Sequence, residues 1–233
     1  MARAGDEIVN PVTGHRIAFR KTTRDTDGEL LQMDWIGGTG WKAGPAHVHS
    51  FQQERFEVVS GTLGSYVAGT ERTLRPGEEV VVPAGIAHTA WNAGEGEVHA
   101  LVELRPASVR SETMLETVFG LAQDGKLAKA GIPKNPLRLA LIVRDYEDQI
   151  YLASPPLAVQ RALFGALAEV GRLLGYRAEY PYPYGDQGRE TLEVEGERRS
   201  AKSGARPGAV AIGAILAFLL ALVLLRRRMR SEG

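Results

Sequence analysis

Residues 8–104 form a succession of short segments rich in β-branched and aromatic side chains, and glycine or proline separates one segment from the next. The clearest of these segments are 16–21, 29–36, 55–59, 62–68, 78–82 and 97–104. Many short strands at close and fairly even spacing are typical of an antiparallel sandwich or barrel. We therefore expect a mainly β domain over residues 1–107, which Pro106 closes.

After this domain the apolar residues recur at helical spacing. We expect three helices, over about 113–123, 137–146 and 155–175. Their expected N-caps are, in that order, Thr113 in a capping box with Glu116, Asn135 before Pro136, and Ser154 before Pro155. We interpret residues 108–179 as a helical extension that covers the barrel or forms a dimer contact. A regulatory or partner-binding module is the alternative interpretation.

The C-terminal part contains a linker pattern and then a strongly apolar run. Residues 180–208 are rich in proline, charged residues, serine and glycine, which predicts a flexible linker. Residues 209–225 carry no charge, and arginines follow at once in a basic tail over 226–233. A run of this length is close to the lower limit for a membrane span, so we expect one C-terminal transmembrane helix. No apolar leader precedes the β domain, so the expected localisation is a membrane anchor with the barrel in the cytoplasm.

Composition excludes several classes of site. The chain has no cysteine, so disulfides, thiolate metal sites and cysteine nucleophiles are excluded. Its 28 basic side chains balance 28 acidic ones. This balance argues against a general nucleic-acid binder, because such affinity comes mostly from basic side chains that neutralise phosphates. Any metal must therefore be held by histidine, carboxylate, backbone oxygen or water.

Three of the five histidines lie in two short, organised segments of the β region. His47 and His49 are two residues apart, so in an extended strand both side chains point to the same face. Glu54 follows at the start of the next strand, and His88 follows a proline–glycine corner. Three imidazoles and one carboxylate suit a divalent first-row metal: Fe, Mn, Ni, Cu, Co or Zn. Glu57 is the alternative carboxylate, although the strand phase favours Glu54.

The other histidines and the aromatic residues receive plainer interpretations. His15 and His99 are interpreted as ordinary surface or core histidines, and Asn92 as a turn residue rather than a ligand. Six aromatic residues of the β region are expected in the core more than in a pocket, and they are Trp35, Trp41, Phe51, Phe56, Tyr66 and Trp91.

These two segments resemble the paired motifs of the cupin superfamily. The second motif is matched in full by Gly77, Pro83, Gly85, His88 and Asn92. The first motif is matched by His47, His49, Glu54 and Gly61, and it departs only at its opening glycine, where Trp41 stands after Gly40. The resemblance covers about residues 30–105 and implies a double-stranded β-helix, or jelly-roll, barrel. It also implies that the metal ligands are His47, His49, Glu54 and His88.

The barrel hosts many functions, so the motifs leave the activity open. The first hypothesis is a metal-dependent, dioxygenase-like enzyme similar to single-domain quercetinase-like cupins, which acts on a small enolic or carboxylate substrate. Glu54 would then be both a ligand and a proton acceptor. The alternative is a non-enzymatic, membrane-tethered module that senses a small molecule or a metal. A third hypothesis is a structural barrel that serves dimerisation, and a homodimer is what the resemblance implies.

Overall fold

The computed structural model describes residues 1–128 and 130–184, and Met1–Tyr184 form one compact unit. The strands of this part are β1 (Glu7–Asn10), β2 (His15–Lys21), β3 (Leu31–Gly37), β4 (His47–His49), β5 (Gln53–Ser60), β6 (Leu63–Val67), β7 (Thr70–Leu74), β8 (Glu79–Val82), β9 (His88–Asn92), β10 (Val98–Arg105) and β11 (Ile150–Leu152). The helices are α1 (Val109–Gln123), α2 (Pro136–Asp145) and α3 (Leu157–Leu173). The expected mainly β fold with a helical segment after it is confirmed.

The strands form two antiparallel sheets. The six-stranded sheet has the order β1-β2-β3-β10-β5-β8, and the five-stranded sheet has the order β11-β4-β9-β6-β7. Side chains from both sheets share one core, in which Phe56 and Val102 of the first sheet join Leu63 and Ala90 of the second. This arrangement follows from strand geometry, because successive side chains point to opposite faces of a sheet and every second one can therefore point into the core. In β2, for example, His15, Ile17 and Phe19 are all buried.

The helix boundaries follow the sequence only in part. Asn135 caps α2 as expected, because its side-chain oxygen accepts hydrogen bonds from two backbone amides of the first turn. The cap of α1 is Ser108 instead of Thr113, so the N-cap lies five residues earlier than predicted. Glu116 does not serve a capping box. Its carboxylate is buried and accepts a hydrogen bond from the backbone amide of Ala2.

The start of α3 also differs from the prediction. The helix is preceded by Pro156, and Ser154 makes no cap. The reason is the second proline. A residue that precedes proline is disfavoured in the helical region, so Pro155 cannot form the first turn and the helix begins only at Leu157.

The helical extension contributes a strand that the sequence pattern did not predict. β11 pairs antiparallel with β4, so that Ile150 lies opposite His49 and Leu152 lies opposite His47. Backbone hydrogen bonds continue the pairing on both sides, since Ser50 N donates to Gln149 O and Ala153 N donates to Ala46 O. The extension is thus joined to the barrel through the strand that carries the histidine pair.

The beginning of the expected linker packs against the folded unit. The backbone amide of Tyr180 donates to Thr117 Oγ1, and the Tyr184 hydroxyl donates to Glu116 Oε1. The chain crosses α1 at Gly120, where a Cβ atom would lie 2.3 Å from the carbonyl oxygen of Pro181. Only glycine allows this approach. The remainder of the expected linker, 185–208, lies outside the described residues.

The expected membrane localisation is corrected. Across residues 1–128 and 130–184, no helix combines the length and the apolar character that a membrane crossing requires. The longest of these helices, α3, has 17 residues. That corresponds to about 25 Å, which is shorter than a hydrocarbon core of about 30 Å. The helix also carries charged residues such as Arg161 and Glu169. The segments 209–225 and 226–233, which suggested an anchor, lie outside the described residues.

Candidate metal centre

The proposed histidines come from two neighbouring strands of the five-stranded sheet. β4 and β9 pair so that His47 lies directly opposite His88. The alternation of β4 puts His49 on the same side as His47, and the ring centroids of these two residues are 5.2 Å apart. His49 and His88 are buried, and their rings stack with centroids 5.4 Å apart. Strand pairing alone therefore brings three imidazoles together.

The carboxylate comes from the other sheet. Glu54 lies on β5 and is 2% exposed, and its Oε2 accepts a hydrogen bond from His88 Nε2 at 2.6 Å. The same oxygen is 3.4 Å from His49 Nε2. Glu57 lies three positions along the strand and therefore on the opposite face, where it accepts a hydrogen bond from Arg55. The structure thus brings Glu54 to the histidines and places Glu57 elsewhere.

The spacing of these groups fits a single ion. One donor atom from each of His47, His49, Glu54 and His88 can be chosen so that all lie within 4.8 Å of one another. Two ligands on opposite sides of an ion, each at about 2.1 Å, would be about 4.2 Å apart. Small side-chain movements would therefore close the four donors around one cation. Together with the cupin motifs, this cluster suggests a metal-binding site.

Backbone carbonyls fix the orientation of two of the imidazoles. His47 Nδ1 lies 3.0 Å from the carbonyl oxygen of Pro45, and His88 Nδ1 lies 2.9 Å from that of Ile86. A histidine that ligates a metal usually donates its other ring N–H to such an acceptor, which leaves Nε2 for the metal. In His88 a metal would take the place of the proton that Nε2 donates to Glu54. The sequence motifs did not reveal these acceptors. In the described chain, His49 Nδ1 is buried without a hydrogen-bond partner.

The protonation of the cluster follows from burial and from the close pair. Burial lowers the pKa of His47 to about 4, and the neighbouring His88 and His49 add to this effect. For Glu54, burial favours the neutral acid, but His49 and His88 outweigh it and hold the pKa of this carboxyl below its usual range. For His88, burial opposes the charged form, yet the hydrogen bond to Glu54 raises its pKa above the ordinary value. A neutral imidazole and an ionised carboxylate are the forms that bind a metal.

The cluster faces a cavity of about 220 Å³. His47, His49 and Glu54 line it on one side. The rest of the lining is mainly apolar and comes from the barrel, from α1 and α2, and from β11. Trp35 and Trp41, which were expected mainly in the core, also line this cavity.

His15, which was interpreted as an ordinary surface or core histidine, lines the cavity. It is 6% exposed and packs against Trp41, with ring centroids 4.6 Å apart, and it lines the same cavity as the cluster. Burial lowers its pKa to about 3, so its ring is neutral at neutral pH. Its phase with the apolar Ile17 and Phe19 in β2 was the signal that it points inward. His99 lies elsewhere and donates to Asp34 Oδ1 at 2.6 Å.

Asn92 lies outside the cluster. Its Oδ1 accepts a hydrogen bond from the backbone amide of Gly94, and its Nδ2 donates to the carbonyl oxygens of Gly37 and Gly96. These bonds hold the turn that follows β9, which agrees with the predicted role of a turn residue.

Comparison with known proteins agrees with the motifs. Residues 38–102 match a family model described as Cupin domain, and this range contains all four clustered residues. The match supports a place in the cupin superfamily. The chain is also 30% identical over 136 residues to proteins described as probable oxidoreductase patJ from Penicillium expansum and from Aspergillus clavatus. Each match covers 54% of this chain but only 42% of the relative, so the chain spans less than half the length of these relatives.

Solved structures also align with part of this chain, and two of them serve as examples. KdgF from Halomonas sp. is 21% identical with a TM-score of 0.38, and the match covers 42% of this chain and 84% of that one. A protein described as a predicted oxalate decarboxylase from Thermotoga maritima is 16% identical with a TM-score of 0.40, over 46% of this chain and 98% of that one.

Proposed function

We propose that this chain is a metal-dependent, oxygenase-type enzyme that acts on a small enolic or carboxylate molecule. The observation that carries the proposal is the cluster of His47, His49, Glu54 and His88, whose donor atoms lie within 4.8 Å of one another. In this proposal these four residues are the ligands of one divalent first-row transition metal ion. The ion would polarise the oxygen atoms of a bound substrate and supply redox chemistry that the side chains lack.

The chain's own residues prepare the site for such an ion. The carbonyl oxygens of Pro45 and Ile86 hold the rings of His47 and His88 in place before a metal binds. Preorganised ligands lose little conformational freedom on binding, so this favours affinity. The neutral His47 and the ionised Glu54 need no change of protonation.

Glu54 is the catalytic residue of this proposal. Its carboxylate lines the cavity, so a proton released by an enolic substrate there would have an acceptor within reach. Since the pKa of Glu54 lies below its usual range, the carboxylate is ionised before the substrate arrives. The resemblance to proteins described as probable oxidoreductases supports turnover rather than binding alone.

The first test is metal binding by the full-length chain. The purified protein is stripped with a chelator and titrated with Co²⁺, whose visible absorption reports nitrogen and oxygen coordination. The double variant His47→Ala/His49→Ala should lose the signal, and His99→Ala, a histidine outside the cluster, should keep it. If the double variant still binds one equivalent of Co²⁺ as tightly as the wild type, the proposed ligand set is wrong.

Turnover is tested separately. The protein is loaded with Fe²⁺ or Mn²⁺, and oxygen consumption is followed with acetylacetone, a small enolic compound. Oxygen uptake by the wild type that the double variant lacks would support the enzyme. Metal binding with ligand-induced stabilisation but no uptake across a panel of enolic and carboxylate compounds would favour a binding module instead.

A further inference from the structure

Part of the wall of the cavity beside the cluster is built by the helical extension. Half-buried side chains of α1 and α2 line the cavity, and they are Met114, Leu115, Val118, Leu139 and Val143. These helices begin after residue 102, where the match to the cupin family model ends. The residues that complete this cavity therefore belong to a part of the chain that the family motifs do not describe.

Helical spacing explains why these side chains share one surface. Met114 and Val118 are four residues apart on α1, as are Leu139 and Val143 on α2, so each pair lies on a single helix face. On α2, Leu141 is two residues from both members of the pair, so it points to the opposite face, where it is buried in a second core. The cavity-facing residues keep exposed area that a ligand can cover.

The cavity offers little to a charged ligand beyond the cluster. Among its described lining residues, Lys42 is the only one with a lysine or arginine side chain, and it is exposed. A phosphate or a second carboxylate placed against α1 and α2 would lose its hydration without gaining a partner. An apolar group placed there would gain about 25 cal/mol for each Å² removed from water.

The size of the cavity limits the ligand. An apolar cavity of about 150 Å³ is large enough to hold benzene. The cavity here, at about 220 Å³, is larger than that but smaller than the common range of about 300–1,000 Å³ for drug-sized ligands. One ring, or a short branched chain, with a few substituents fits this space.

We infer that this site selects a small molecule with one oxygen-bearing head group and an uncharged, apolar body, and that α1 and α2 form its specificity wall. The head group lies towards His47, His49 and Glu54, and the apolar body lies against Leu115, Val118 and Val143. The assignment of the head group rests on the proposed metal function. The preference of α1 and α2 for an apolar body does not rest on that function.

The test compares two compounds that share a 1,3-dicarbonyl head. Benzoylacetone is uncharged and carries a phenyl ring, whereas malonate is a dianion without an apolar body. Isothermal titration calorimetry is carried out on the full-length chain, once loaded with redox-silent Zn²⁺ and once stripped of metal. We expect benzoylacetone to bind the zinc form at least about tenfold more tightly than malonate, the scale on which apolar pockets discriminate.

Variants then locate the wall. Val143→Phe should fill the cavity and weaken benzoylacetone binding by about tenfold, while the Zn²⁺ content stays at the wild-type level. Val159→Phe is the matched control, because Val159 lies on α3, is 49% exposed and does not line the cavity. Val118→Phe repeats the test from α1, and thermal unfolding checks that each variant is folded.

The outcomes separate the two proposals. Malonate binding as tight as benzoylacetone binding, or folded Val143→Phe and Val118→Phe proteins that bind benzoylacetone like the wild type, would overturn the apolar wall and leave the metal site intact. Failure to retain Zn²⁺ would instead overturn the metal function. In that case the metal-free protein still tests the apolar wall, because we expect it to bind benzoylacetone more tightly than malonate.

Discussion

Replacing His15 with phenylalanine should remove a measurable part of the acid sensitivity of the fold. The ring of His15 is buried against Trp35, Trp41 and Phe119, and burial lowers its pKa from 6.5 to about 3. The unfolded chain therefore binds a proton at this residue between pH 6.5 and about 3, whereas the folded chain does not. Stability due to His15 is complete above this window and is lost as the pH falls through it.

The magnitude follows from the two pKa values. One pKa unit corresponds to about 1.4 kcal/mol. At pH 5, about 1.5 units below the unfolded pKa, protonation of His15 stabilises the unfolded chain. The free energy of unfolding is therefore about 2 kcal/mol lower than at pH 7. Phenylalanine keeps an aromatic ring among Trp35, Trp41 and Phe119 and has no proton to bind. The wild type should thus lose about 2 kcal/mol more than the His15→Phe variant between these pH values.

The assay is urea denaturation of the metal-free, full-length chain, followed by far-ultraviolet circular dichroism at pH 8, 7 and 5. Every other titrating group is present in both proteins, so the difference between their pH responses isolates His15. Between pH 8 and pH 7 the two proteins should differ by only about 0.1 kcal/mol, since the ring of His15 is neutral in the folded state and mostly neutral in the unfolded state. An equal loss of stability in the two proteins from pH 7 to pH 5 would refute the argument.

Two further predictions concern backbone positions. Gly64→Ala should lower the free energy of unfolding by about 1–3 kcal/mol, because its Cβ would lie 2.2 Å from the Trp91 ring. Gly38→Ala is the control, since its Cβ would meet nothing within 4 Å, and it should change stability little in the same urea assay. Tyr151 lies opposite Val48, which stands between the two histidines of β4. Tyr151→Pro should reduce Co²⁺ retention, because proline has no backbone N–H to donate to β4. Tyr151→Phe keeps this N–H and should retain Co²⁺ as the wild type does.

The barrel and its cluster were largely predictable because both depend on local patterns. Strands with alternating apolar residues, such as β2 and β10, appear directly in the sequence, and the spacing of His47 and His49 puts them on one face. The choice between Glu54 and Glu57 also follows from strand phase. What the pattern lacked was long-range information. The pairing of Glu116 with the backbone of Ala2, for example, overrides the capping box that the local sequence suggests.

The helical extension shows where prediction from motifs must stop. The three residues of β11 are too short a run to predict a strand, and their structure is set by β4, whose edge they pair with. The apolar residues of α1 and α2 have the spacing of any amphipathic helix, so nothing local distinguishes Val143, which faces a cavity, from Leu141, which is buried. The donor set can thus be recognised from residues 47–88, but the rest of the cavity wall depends on how a later segment docks. A barrel with the same four donors and a different extension would present them to a different wall, and would select a different ligand.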